Sequence, residues 1–204
     1  MPIVGEATPL TMARLKVAFF KDQADLEHLS VYDEQGRSLD YALFSGRFKV
    51  APIRAPTYRP QQLADYELGD MISLVGYDLP DELRTAQPLM FTLYWRASGA
   101  TDRPHTVFVH LVDRQGQLVA QTDAQPVSGN YPTDLWGDNE VISDTHVLAL
   151  PIDLSGGDYR VLVGLYSVET GQRLLVLDSE DLPMPDNQIS LGTVHYRADG
   201  AKAR

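Results

Sequence analysis

Residues 89–96 read Leu-Met-Phe-Thr-Leu-Tyr-Trp-Arg, so that Leu or a large aromatic residue occupies every odd position. This alternation is typical of a β-strand, whose successive side chains point to opposite faces of a sheet. Residues 106–112 (TVFVHLV) and 159–166 (YRVLVGLY) are apolar on both parities, which predicts central strands that are covered on both faces. The three stretches together predict an all-β protein.

Three polar turns with a late glycine separate pairs of apolar runs, at residues 33–37 (DEQGR), 113–117 (DRQGQ) and 168–172 (VETGQ). A glycine at that position can adopt a positive φ and close a tight turn between two strands. The turns therefore predict β-hairpins and a largely antiparallel sheet.

The same patterns predict short strands along the whole chain, most of them after residue 66. They lie near residues 13–19, 28–33, 38–44, 47–53, 71–77, 89–97, 105–113, 117–124, 140–149, 158–167, 172–178 and 189–197. Residues 60–66 are interpreted as a turn or two of helix. Short antiparallel strands in this number predict a two-sheet β-sandwich, immunoglobulin-like or, as the alternative, a jelly-roll.

A proline-rich stretch, residues 51–62 (APIRAPTYRPQQ), predicts a linker that divides the chain. Residues 1–62 would form an N-terminal β extension, and residues 63–204 the β-sandwich domain. The Tyr, Gly-turn and Arg order of residues 31–55 recurs in residues 165–198. The first segment is therefore interpreted as the remnant of a preceding, similar module.

The composition excludes several classes of function. The chain has 204 residues, a formal net charge of -11 and no cysteine. Nucleic acid would be repelled by this charge, and thiol chemistry and zinc ribbons need cysteine. No apolar run is long enough for direct membrane insertion, the first 20 residues lack a signal-peptide pattern, and the common catalytic motifs are missing. We therefore expect no catalytic residues and no enzymatic activity.

The strongest candidate site is the long loop of residues 125–139 (QPVSGNYPTDLWGDN). Tyr131 and Trp136 offer flat aromatic faces of the kind that stack on sugar rings. The polar side chains that suit the sugar hydroxyls are Asn130, Asp134 and Asn139. The alternative interpretation is that Trp136 folds back and plugs the open end of the sandwich.

The same loop predicts a calcium site formed by Asp134, Asp138 and Glu140, because carboxylate oxygens are the ligands that this hard cation prefers. Their spacing does not follow an EF-hand loop. The alternative is a set of solvated turn carboxylates. No other cofactor is expected.

Four histidines fall on predicted strands, namely His105, His110, His146 and His195. Histidines that face each other across a sheet can bind a transition metal or act as general bases. Hydrogen-bonded core histidines are the favoured interpretation.

Several motifs together resemble a known β-sandwich domain. They are residues 74–79 (LVGYDL), 93–95 (LYW), 107–113 (VFVHLVD), 131–133 (YPT) with Trp136, 157–159 (GDY), 163–166 (VGLY) and 170–174 (TGQRL). Over residues 66–197 they are similar to the C-terminal extracytoplasmic domain of large bacterial membrane glycosyltransferases that resemble the dolichyl-phosphate-mannose protein mannosyltransferase family. In that family the catalytic acids lie in the membrane part, which implies no catalytic residue here.

The resemblance implies an extracytoplasmic location and a membrane-embedded glycosyltransferase as partner. The expected function is that of a non-catalytic accessory module that binds a glycan or a polypeptide acceptor. The alternative is a structural or protein-interaction module of a cell-surface assembly.

Overall fold

The computed structural model describes residues 58–198 in full and, as strands only, residues 11–18 and 42–50. The chain divides into two units, Met1–Pro56 and Thr57–Arg204. In the first unit, strand β1 (Thr11–Ala18) pairs antiparallel with β2 (Ala42–Val50). The predicted strands near 38–44 and 47–53 correspond to the single strand β2. The predicted strand near 28–33 and the turn at 33–37 lie outside the described residues.

The second unit, between residues 58 and 198, is a two-sheet β-sandwich, as the sequence predicts. Sheet I has the strand order β5-β12-β10-β7-β8 and sheet II the order β11-β3-β4-β6-β9. Strand bounds are β3 Gln62–Leu68, β4 Ile72–Asp78, β5 Glu82–Arg84, β6 Leu89–Ser98, β7 His105–Val112, β8 Leu118–Ala124, β9 Asp138–Leu148, β10 Gly157–Ser167, β11 Val176–Leu177 and β12 Ile189–Arg197. Neighbouring strands run antiparallel, except that β5 pairs parallel with β12.

The core lies between the two sheets and follows the alternation in β6. Phe91, Leu93 and Trp95 of this strand are at most 2% exposed, whereas Met90 and Arg96 are exposed. Opposite them, inward side chains of the central strands β7 and β10 are fully buried, among them Val107, Val109, Val161, Val163 and Leu165. Burial of each large apolar side chain contributes about 1.5–3 kcal/mol, so this interior is the main source of stability.

The strand predictions were wrong at three places, where tertiary pairing outweighs local pattern. Residues 62–66, interpreted as helical, begin β3, whose exposed Leu63 obscures the strand alternation. The three-residue strand β5 was not predicted, and the predicted strand 172–178 is reduced to β11. Pairing with β4, β12 and β3, respectively, determines these segments.

Two of the predicted glycine turns are confirmed. Gly116 has a φ of 79°, and its amide donates to the Asp113 carbonyl at 3.0 Å. Gly171 has a φ of 69°, and its amide donates to the Ser167 carbonyl at 2.8 Å. Both positions therefore require the left-handed backbone that glycine accepts most readily.

The helical segments among the described residues are three-residue turns at Val127–Gly129, Thr133–Leu135 and Pro185–Asn187. None of the helices in this part of the chain is long and apolar enough to cross a bilayer.

Candidate functional site

The loop of residues 125–139, which connects β8 to β9 and includes the first two residues of β9, folds its two aromatic residues inward. Tyr131 and Trp136 are each 2% exposed. The Trp136 indole N–H donates to the Tyr131 carbonyl at 2.9 Å, and the Tyr131 hydroxyl donates to Glu140 Oε2 at 2.7 Å. Burial and then the Glu140 carboxylate raise the pKa of Tyr131 far above its ordinary range. The loop is therefore held by an internal network centred on these rings.

The sugar-stacking surface expected from the sequence is therefore covered in this structure. Both rings lie inside because burying a large aromatic side chain is favourable and their polar atoms find partners within the loop. Asn130 and Asn139 are exposed, and Asp134 is half-buried with a buried Oδ1 that has no hydrogen-bond partner. A role of these three side chains in sugar binding stays a prediction.

The structure does not gather the predicted calcium ligands Asp134, Asp138 and Glu140 into one site. Asp138 is exposed, whereas Glu140 Oε2 turns inward and accepts from the Gly137 amide at 2.8 Å as well as from Tyr131. Within residues 58–198, no group of three or more histidines and carboxylates is placed to hold a metal ion. Asp134 and Glu140 are half-buried, whereas Asp138 is exposed.

A buried carboxylate, Asp144 on β9, anchors this loop to sheet II. It is 0% exposed, and its Oδ2 lies 3.2 Å from the Trp95 indole nitrogen and 2.8 Å from His146 Nε2. Its Oδ1 accepts from the Val127 amide at 2.8 Å, and Val127 has a φ of 54°, unusual for a β-branched residue. The sequence indicates this cluster, because Asp144 and His146 occupy even-numbered positions of β9 and therefore lie on its buried face.

A cleft at one end of the sandwich was not predicted. It has a volume of about 420 Å³, within the range of about 300–1,000 Å³ typical of small-molecule sites. It is formed by the β3–β4 turn, the β6–β7 loop and the start of β7. We call it the end cleft; its lining comprises Leu68, Gly69, Asp70, Met71, Ile72, Ala100, Thr101, Asp102, Arg103, His105 and Leu174.

The lining of the end cleft combines apolar and polar groups. Leu68 and Ile72 are buried core residues, whereas Asp70 and Asp102 are exposed. Arg103 forms an ion pair with Glu169. Such a cleft can accept the apolar face of a ring and hydrogen-bond its edge.

Thr133 joins the loop of residues 125–139 to the end cleft. This residue is 0% exposed, and its Oγ1 accepts from the His105 amide at 3.0 Å and lies 2.8 Å from Thr101 Oγ1. The Thr101 amide also donates to the Thr133 carbonyl at 3.3 Å. The loop therefore supports the lining of the end cleft, although its own aromatic rings are buried.

His105 is the buried titratable side chain of the end cleft, at 8% exposure. Its Nδ1 lies 3.4 Å from Thr133 Oγ1. Burial lowers the pKa of His105, and the positive charge of Arg103 lowers it further. The imidazole is therefore neutral at pH 7.

A second cavity, of about 330 Å³, has an uncharged lining that includes Ala86, Pro88, Leu150 and Ile152. Ile152 is 100% exposed. Met90 and Val147, a cross-strand pair on β6 and β9, are more than half exposed. These residues give the second unit an exposed apolar surface.

No protein-family model matches the chain, and no curated protein matches it. Among solved structures, it is similar to the C-terminal domain of wzt at 18% identity, with a TM-score of 0.47, covering 70% of this chain and 81% of that one. It is also similar to a CARDB domain from Pyrococcus furiosus in complex with di-metal ions, at 14% identity with a TM-score of 0.36, covering 68% and 95%. The glycosyltransferase resemblance has no support from a sequence family.

Proposed function

We propose that the second unit is a non-catalytic, carbohydrate-binding module that acts outside the cytoplasm as an accessory to a membrane glycosyltransferase. The observation that carries the proposal is the end cleft, whose lining combines apolar side chains with exposed carboxylates. The resemblance of residues 66–197 to domains of such enzymes supports the setting.

The chemistry of the end cleft favours a sugar as its ligand. The half-buried side chains of Met71 and Leu174 offer apolar surface to the C–H face of a ring, and the Asp70 and Asp102 carboxylates suit hydroxyl groups at its edge. The net charge of -11 opposes polyanions such as nucleic acid. A neutral carbohydrate is not repelled by this charge.

Replacing one of the two exposed carboxylates of the end cleft tests this function. Asp102→Ala is expected to weaken binding of a neutral oligosaccharide about 10-fold or more, because a hydrogen bond to a charged group contributes roughly 1.5–3 kcal/mol. Affinities of the full chain for a panel of mannose, glucose and galactose oligosaccharides are measured by isothermal titration calorimetry. Asp102 is exposed, so the thermal unfolding midpoint should stay unchanged.

Asp153→Ala is the matched control, since Asp153 is also an exposed carboxylate in a loop but does not line the end cleft. It should bind like the native chain. Equal affinities of the Asp102 and Asp153 variants would contradict the placement of the site, and a native chain that binds none of the panel would contradict the function.

A second candidate function is that of a protein-interaction module. The observation that favours it is the exposed apolar surface around Ile152, Met90 and Val147. Binding to a protein partner that Ile152→Asp abolishes, with sugar binding unchanged, would distinguish this function from the first.

A further inference from the structure

We propose that the end cleft selects neutral, hydroxyl-rich sugars through an acceptor nitrogen, His105 Nε2, and that Thr133 is the positioning residue that fixes the imidazole in the required tautomer. This inference rests on the proposed function and names the ligand class of the same site. A chain of hydrogen bonds links Arg103, Thr101, Thr133 and His105 at this cleft.

The direction of that chain follows from counting hydrogens. The Thr101 hydroxyl donates its one hydrogen to the Arg103 carbonyl at 2.7 Å. Thr133 Oγ1 lies 2.8 Å from Thr101 Oγ1 and 3.4 Å from the Arg103 carbonyl, and its one hydrogen can be donated to either of these oxygens. In both arrangements Thr133 Oγ1 has no hydrogen left for His105, and it accepts from that residue.

The His105 imidazole faces Thr133 Oγ1 with its Nδ1, at 3.4 Å. Because that oxygen accepts, Nδ1 carries the proton, and in a neutral imidazole the other nitrogen, Nε2, is then an acceptor. Burial and Arg103 keep the ring neutral at pH 7. No hydrogen bond to Nε2 occurs among residues 58–198, although His105 is buried and lines the end cleft.

Other polar groups of the end cleft also favour a ligand that donates hydrogen bonds. The carboxylates of Asp70 and Asp102 only accept hydrogen bonds when ionised. The charged donor of the lining, Arg103, is paired with Glu169. An acceptor-rich cleft matches a ligand that donates O–H groups, and its carboxylates repel a uronate or a sugar phosphate.

The experiment combines a ligand-free and a ligand-bound readout on the full chain at pH 7. Long-range ¹H–¹⁵N spectra of the histidine rings report the tautomer of His105. Calorimetry compares methyl mannoside, glucoside and galactoside with methyl glucuronide and glucose 6-phosphate. We expect the Nδ1–H tautomer of His105. We also expect at least one neutral glycoside to bind at least about 10-fold more tightly than both anions, since the loss of one hydrogen bond to a charged group corresponds to roughly that factor.

Thr133→Val keeps the shape of the side chain but removes its hydroxyl, and Thr133→Ser restores the hydroxyl. The valine variant should change the tautomer equilibrium of His105 and lose about 10-fold in affinity for the neutral glycoside, on the order of one hydrogen bond. The serine variant should recover both. Because serine retains the hydroxyl, recovery of the tautomer and the affinity in this variant would show that the hydroxyl positions His105. It would also show that the effect of the valine variant is not a general loss of fold.

An Nε2–H tautomer in the native chain would overturn the inference even where neutral sugars bind. Equal or tighter binding of the glucuronide or the phosphate would also overturn it, while leaving a carbohydrate site in place. Absence of binding by every glycoside would instead overturn the proposed function, and the inference would fall with it.

Discussion

Asp144→Ala is expected to lower the free energy of unfolding by about 3–5 kcal/mol, because it removes the shared acceptor of a buried hydrogen-bond network. The variant leaves the Trp95 indole N–H, the His146 ring and the Val127 amide without their common acceptor. Each unsatisfied buried group costs about 1–3 kcal/mol. Urea unfolding followed by tryptophan fluorescence measures the loss.

Asp144→Asn and Asp153→Ala are the controls for this prediction. The asparagine keeps one acceptor oxygen, so its loss should be smaller than that of Asp144→Ala. The exposed Asp153 should change stability by less than about 0.5 kcal/mol. An Asp144→Ala variant as stable as the Asp153 variant would contradict the role of this carboxylate as the anchor of the loop.

Trp136→Ala is expected to destabilise the fold by about 3–5 kcal/mol, the usual cost of removing a buried aromatic side chain. Trp136 is 2% exposed, and its indole N–H donates to the Tyr131 carbonyl at 2.9 Å. A surface platform for sugar would behave differently, because its loss would lower affinity and leave stability unchanged. Denaturant unfolding and glycoside calorimetry on the same variant separate the two roles.

Asn139→Ala is the matched control in the same loop, because Asn139 is exposed. Its φ of 55° is left-handed, a conformation that asparagine tolerates better than alanine, so a loss of about 1 kcal/mol is expected. A Trp136→Ala variant that unfolds at the same denaturant concentration as the native chain, but no longer binds sugar, would contradict the inward position of the ring.

Much of the fold could be predicted because local pattern and tertiary environment agree there. The odd residues of 89–96 are all apolar, and Phe91, Leu93 and Trp95 are buried between the sheets. Gly116 and Gly171 mark turns whose positive φ values favour glycine. Strand β3 was not predicted, because the exposed Leu63 breaks the alternation and only pairing with β4 determines the strand.

The end cleft could not be predicted because it is assembled from distant parts of the chain. Asp70 follows β3, Asp102 precedes β7, and Leu174 lies between β10 and β11. Their proximity depends on the strand order and the register of both sheets, which local pattern does not report. The β6–β7 loop does carry a weak signal, since residues 99–104 (GATDRP) are polar or turn-forming between two apolar strands.

The predicted loop site illustrates a second limit of the sequence. Tyr131 and Trp136 lie in a polar, proline-containing segment, and such a segment is compatible with either a displayed or a buried ring. The internal acceptors decide the outcome, because the Tyr131 carbonyl and Glu140 satisfy the polar atoms of the two rings. That complementarity becomes visible only in three dimensions.

The most direct test of the end cleft as the sugar site is a titration of the ¹⁵N-labelled full chain with the tightest-binding neutral glycoside, followed through backbone amide shifts. We expect the largest shifts at residues 69–72 and 100–105, smaller shifts at Thr133 and almost none at Ile152. Shifts centred on Asn130 and Asn139, or on the surface around Ile152, would contradict the assignment of the end cleft as the sugar site.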